Sequence, residues 1–142
     1  MPIREADTIL DAATVERLSI AFNRCFATLE VEEGVFTEDA FFDMYPPFWR
    51  FQLQGPKAFE TQLRAIANGK PSVRALRVVP TASGFVLEHE EAEPTPDGEV
   101  ARRLWLCEVR DDRIAEVVGY CNGGWDPALC ARHAAEAPML RP

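Results

Sequence analysis

Between Ser83 and Asp126, runs of β-forming residues alternate with turn signals and predict three strands. Phe85–Ala92 opens with apolar residues and alternates loosely. Pro94-Thr95-Pro96-Asp97-Gly98 is a turn, because proline fixes φ and glycine tolerates positive φ. Val100–Arg110 is the second strand, centred on Leu104, Trp105 and Leu106. Arg110-Asp111-Asp112-Arg113 turns the chain into Ile114–Asn122, which Gly123-Gly124 ends. Long, twisted antiparallel hairpins bend into a concave surface, and a concave surface must be filled with something apolar.

The upstream pattern supplies that filling. Val15, Leu18, Phe22, Cys25, Phe26 and Leu29 recur at the i, i+3, i+4 spacing of one helical face, which predicts a helix from Ala12 to about Ala27, with Thr8 and Asp11 as candidate caps. Val31–Phe36 reads as a short helix or a turn, Thr37-Glu38-Asp39 as a break, and Ala40–Tyr45 as a short strand ended by Pro46-Pro47. Phe48–Leu53 fits either a strand or a loop over the mouth of a pocket. Gly55-Pro56 opens a helix with the stripe Phe59, Leu63, Ile66, and Asn68-Gly69 stops it. Ser72–Val79 is a further strand. After Trp125, Asp126 as N-cap and Pro127 at the first helical position predict a helix over Ala128–Ala137, followed by a tail with Met139 and Leu140. With no repeat and no linker, a chain of 142 residues reads as one domain, 1–142, with 127–142 as an extension. The apolar tail is expected to dock on this chain or on a partner.

Charge narrows the choice of partners. The net charge is −8, which disfavours a nucleic-acid backbone. Arg102 and Arg103 lie among Glu88, Glu90, Glu91 and Glu99 and are expected to pair with them across strands. No apolar run is long enough for a membrane span and no signal peptide opens the chain, so a cytoplasmic protein is expected, its four cysteines reduced. His89-x-Glu91 offers two possible metal ligands, short of the three converging groups a zinc or iron site needs, so no metal is expected. Phosphate-loop, dinucleotide and nucleophile-elbow motifs are absent.

Several short motifs carry a resemblance. Phe36-Thr37-Glu38-Asp39-Ala40-Phe41-Phe42 resembles an F-x-x-D-A-x-F element, and Gly55-Pro56-Lys57-Ala58-Phe59 a G-x-x-A helix start. Arg110-Asp111-Asp112-Arg113-Ile114 resembles an R-D-G-K-I hairpin, and Glu116, Tyr120 and Asn122 a closing E-x-x-x-Y-x-D strand. In order and spacing, over about residues 12–126, they resemble the NTF2-like superfamily and its SnoaL-like polyketide cyclase and ketosteroid isomerase branch. The resemblance implies an α+β cone: a curved antiparallel sheet wrapped around N-terminal helices, here with an extra C-terminal helix and tail. It implies a pocket beneath the sheet and homodimers through the outer sheet face. Members include isomerases, cyclases, dehydratases, epoxide hydrolases and proteins without catalysis, so the fold alone does not settle activity.

The resemblance and the residues together nominate a site. Ketosteroid isomerases carry a carboxylate base immediately before such a proline; here that residue is Tyr45, with Asp43 on the same face by strand alternation. In an apolar pocket Asp43 would have a raised pKa and shuttle a proton, or it pairs with an arginine. His89, on one face with Glu91, is a second acid–base candidate, or a hydrogen-bonded sheet histidine. Tyr120 can donate to a developing oxyanion. The cyclases often end the closing strand in a basic aspartate; Asn122 stands there and can only orient a ligand. Arg103 and Asn122 would orient the ligand, while Tyr45, Trp49 and Trp105 would shape the cavity, Trp105 otherwise being core or interface. The expected function is cofactor-independent isomerisation, cyclisation or hydration of a small apolar or polyketide-like metabolite. The alternative is a non-catalytic binding, accessory or dimerisation protein.

Overall fold

The structure is a computed structural model, and it describes residues 10–141. The element order is α1 (Ala12–Thr28), β1 (Phe36–Tyr45), β2 (Phe51–Gln54), α2 (Pro56–Ile66), β3 (Ser72–Pro80), β4 (Gly84–Ala92), β5 (Val100–Arg110), β6 (Arg113–Cys121) and α3 (Pro127–Glu136). Asp11 caps α1, its carboxylate accepting from the Ala13 N–H, while the other candidate cap, Thr8, lies outside the described residues. Asp126 caps α3 and Pro127 stands at its start, as the sequence predicts.

The segment expected as a short helix or a turn is a turn, and β1 begins at its last residue, Phe36. One local expectation is corrected: β1 runs through Thr37-Glu38-Asp39, read from sequence as a break. Ala40, Phe42 and Met44 alternate inward, and pairing to β6 at Phe36 and again from Phe41 carries the strand across the polar segment, where the register shifts. The ambiguous segment 48–53 resolves into a loop to Arg50, then strand β2.

The six strands form one open sheet in the order β2-β1-β6-β5-β4-β3. It is mixed rather than antiparallel throughout: β1 lies parallel to β6, and every other neighbouring pair is antiparallel. The long excursion through α2 and four strands lets β6 return beside β1 in the same direction.

The core fills the concave face. Val15, Leu18, Phe22, Cys25 and Phe26 of α1 are buried, and so are Phe59 and Leu63 of α2. Phe42 stacks on Phe59 with centroids 4.4 Å apart, and Phe22 meets Trp105 edge-on at 5.4 Å. Strand register sorts the side chains by face. Leu87, Trp105, Gly119 and Met44 align across β4, β5, β6 and β1 and are buried beneath the helices. One residue along, Val86, Leu106, Val118 and Asp43 align, followed by Glu88, Leu104, Tyr120 and Tyr45, all on the outer face. No residue of α3 is buried, and Met139 and Leu140 are exposed, so the C-terminal segment does not cover the sheet of its own chain. Among the described residues no helix is long and apolar enough to cross a membrane.

Candidate active site

Alternation along β4 and β5 brings charge to an apolar interior. Leu87 and Phe85 face inward, so His89 and Glu91, at successive i+2 positions, do as well. On β5, inward-facing Trp105 carries Arg103 with it, and the register sets His89 opposite Arg103. Arg103 reaches along the sheet to Glu91, Nη2 to Oε2 3.1 Å.

His89 lies behind this pair and is wholly buried. The Trp105 indole N–H donates to His89 Nε2 at 3.3 Å. An indole nitrogen only donates, so Nε2 accepts and the ring proton sits on Nδ1. Nδ1 then donates to Asn23 Oδ1, 3.1 Å away on α1. Phe26 packs edge-on against the imidazole at 4.7 Å. Glu91 Oε1 lies 3.4 Å from the same Nε2. The unprotonated Nε2 offers that oxygen no proton, so the carboxylate, only 12% exposed, is held by the guanidinium alone.

Two neighbouring hollows open beside it. A cleft of about 200 Å³ is bordered by Phe26, Leu63, Ile66, Glu91, Arg103 and Cys121. A narrower, almost wholly apolar chamber of about 80 Å³ is bordered by Phe51, Phe59, Ile66, Trp105, Gly119 and Arg103. Leu63, Ile66, Arg103 and Cys121 border both. A Cβ on Gly119 would lie 2.2 Å from the Trp105 ring, so the indole occupies space that only glycine leaves free.

Of the residues nominated from sequence, the structure brings His89, Arg103 and Trp105 together on the inner face. The others gather elsewhere. Asp43 faces outward and is gripped by Arg50, Nε to Oδ1 2.9 Å and Nη2 to Oδ2 2.8 Å. Those hydrogen bonds hold its carboxyl below the usual carboxylate range, opposite to the raised value a base in an apolar pocket would have. Tyr45 and Tyr120 border the chamber at the strand ends, but their rings stack at 5.1 Å on the outer side, beneath the Arg50 guanidinium. Desolvation pushes the Tyr45 phenol upward. Asn122 accepts the Arg102 N–H at 2.8 Å and pins the end of β6. Trp49 is exposed in the 46–50 loop. Glu91 and Asn23 were not nominated; the two-residue spacing from His89 carried the signal for Glu91, and nothing in the helix pattern singled out Asn23.

No protein-family model matches the sequence, and no curated protein does. Solved structures do match in shape. An NTF2-like protein of unknown function from Mesorhizobium loti superposes with a TM-score of 0.64 at 18% identity, over 87% of this chain and 98% of that one. The chain has the NTF2-like fold. A candidate ketosteroid isomerase from Kribbella flavida gives 0.63 at 12% identity, over 81% and 82% of the two chains. An LEH-like epoxide hydrolase of M. tuberculosis gives 0.60 at 16%, over 78% and 84%. At these identities the likeness is one of fold. In this NTF2-like cone the hollow between sheet and helices carries the Glu91–Arg103 pair where the cleft meets the apolar chamber.

Proposed function

We propose that this chain binds a small, largely apolar molecule in the inner cleft and moves a proton on it without a cofactor. Glu91 would take the proton from carbon or from a water molecule and return it, which covers isomerisation and hydration alike. Arg103 would keep Glu91 in place and steady developing negative charge on the ligand. His89 would take no part in the transfer, since it is buried behind the pair and its two ring nitrogens are engaged by Trp105 and Asn23. The observation that carries this reading is the half-hidden Glu91 carboxylate beside an apolar chamber. Fold neighbours described as isomerases and as an epoxide hydrolase support it, as do the motifs that resemble the ketosteroid isomerase and SnoaL-like branch. The test is hydrogen–deuterium exchange at the α-carbon of a panel of small cyclic ketones, read by mass spectrometry. Exchange above buffer should fall at least about a hundredfold in Glu91→Gln. Exchange that survives in Glu91→Gln removes Glu91 from the chemistry, and no exchange on any ketone removes proton abstraction from carbon.

A second reading, a non-catalytic carrier, is favoured by the outward placement of Asp43, Tyr45 and Asn122, which takes three of the nominated residues off the inner face. Binding in the cleft without exchange would select it. Under either reading the exposed apolar residues of the outer sheet face support a homodimer formed through that face. The four free thiols fit a cytoplasmic location.

A further inference from the structure

We propose that the cleft selects an uncharged, oxygen-bearing molecule of about one ring and turns away carboxylates. This deepens the reading of the cleft as a ligand site and rests on it.

The Glu91–Arg103 pair is already neutral before any ligand arrives. Among the described residues, Arg103 is the only cationic side chain bordering the two hollows, and Glu91 occupies its Nη2 edge at 3.1 Å. An incoming carboxylate would have to share that guanidinium with Glu91 in a poorly hydrated space, where like charges repel strongly. Glu93 and Glu99 also border the cleft and add negative charge on the same side. An ammonium group would be drawn to Glu93 and Glu99 but would meet the Arg103 guanidinium beside Glu91, where its head would have to be buried.

A neutral oxygen needs only a donor, and Arg103 has donors to spare. Its Nε is shielded from solvent and has no hydrogen-bond partner. That nitrogen is sealed from the cleft as well, so a ligand oxygen meets the part of the side chain, 19% exposed overall, that Glu91 leaves open. A carbonyl or ether oxygen on this guanidinium places the remainder of the molecule toward Phe51, Phe59 and Ile66. Size sets the other limit. Hollows of about 200 and 80 Å³ fall short of the cavities that hold drug-sized ligands, roughly 300–1,000 Å³.

The test uses three molecules of one skeleton: cyclohexanone, cyclohexylammonium and cyclohexanecarboxylate, with androstenedione as the large ketone. Each is titrated into 15N-labelled full-length protein near neutral pH, and Kd is read from amide shifts at Arg103, Gly119 and Cys121. Cyclohexanone should bind at least about tenfold tighter than either ion and tighter than the steroid, with the carboxylate weakest. Glu99→Gln, an exposed change, should narrow the gap between ketone and carboxylate. If either ion binds as tightly as the ketone, or Glu99→Gln leaves the gap unchanged, the charge selection is overturned while the cleft remains a ligand site. A steroid that binds best overturns the size limit. If no molecule shifts these amides, the cleft reading falls, and this inference with it.

Discussion

Trp105 Nε1 donates to His89 Nε2 across 3.3 Å, in a part of the protein that water does not reach. On its other side the same imidazole donates to Asn23, so one ring ties β4 to both β5 and α1. His89→Ala would strand the indole N–H without an acceptor and leave a cavity against Phe26. The expected loss is about 2–5 kcal/mol, the sum of an unpaired buried donor and a missing ring. His89→Gln keeps an acceptor and should lose less. Urea unfolding midpoints measure both, and an alanine variant within about 0.5 kcal/mol of the parent would show that the ring is not a tie.

Asp43 makes a pH prediction whose sign follows from its partner. Arg50 lowers its carboxyl in the folded chain, chiefly through hydrogen bonding, from an ordinary value of 3.8. A depressed folded value means stabilisation that is complete above the unfolded value and lost as pH falls through the folded one. Asp43→Asn should therefore be less stable than the parent near neutral pH. The difference should shrink in acid and vanish below the folded value. Unfolding midpoints taken across that range test it; a gap that persists in strong acid would place the effect in shape rather than charge.

The strand-rich half was legible because its turns are written in proline, glycine and aspartate, and its strands alternate. Val100–Arg110 was placed to the residue. The α1 stripe was legible for the same reason, and of its six apolar positions only Leu29 is not buried. What periodicity of two cannot say is which phase faces inward. His89, Arg103 and Trp105 share the inner phase, while Asp43, Tyr45 and Tyr120 share the outer one, and a local pattern gives both sets the same look. The parallel pairing of β1 with β6 joins residues far apart in sequence, so no local signal announces it. In the turn, Asp111 and Asp112 both adopt left-handed backbone, φ 53° and 59°, so aspartate serves where glycine is usual.

Thiol chemistry separates the four cysteines into two pairs. Burial pushes Cys25 up to about 12 and Cys107 well above its ordinary value, so neither supplies thiolate near pH 8. Cys121 and Cys130 are partly exposed. A native-state titration with a disulfide reagent should count two fast thiols, and unfolding should release the other two. Cys121 borders the cleft, so a bound ligand should slow it and leave Cys130 unchanged. Equal protection of both would argue that the ligand sits elsewhere.

Leu104, Leu106 and Tyr120 are 38%, 41% and 47% exposed on the outer face of the sheet, next to the partly covered Val86 and Val118. An apolar patch this continuous is costly to leave in water. On the same face Glu108 and Glu116 stand directly opposite each other, a like-charged cross-strand pair. The rows toward the other end of the strands carry Arg77, Arg74 and Arg102. A two-fold partner laid face to face would bury the patch and bring the arginines of one copy toward the glutamates of the other. The full chain should therefore sediment as a dimer at micromolar concentration. Leu106→Glu should give a monomer with unchanged circular dichroism, because the position is outside the core. A parent chain that is already monomeric there would show that the outer face needs no second copy.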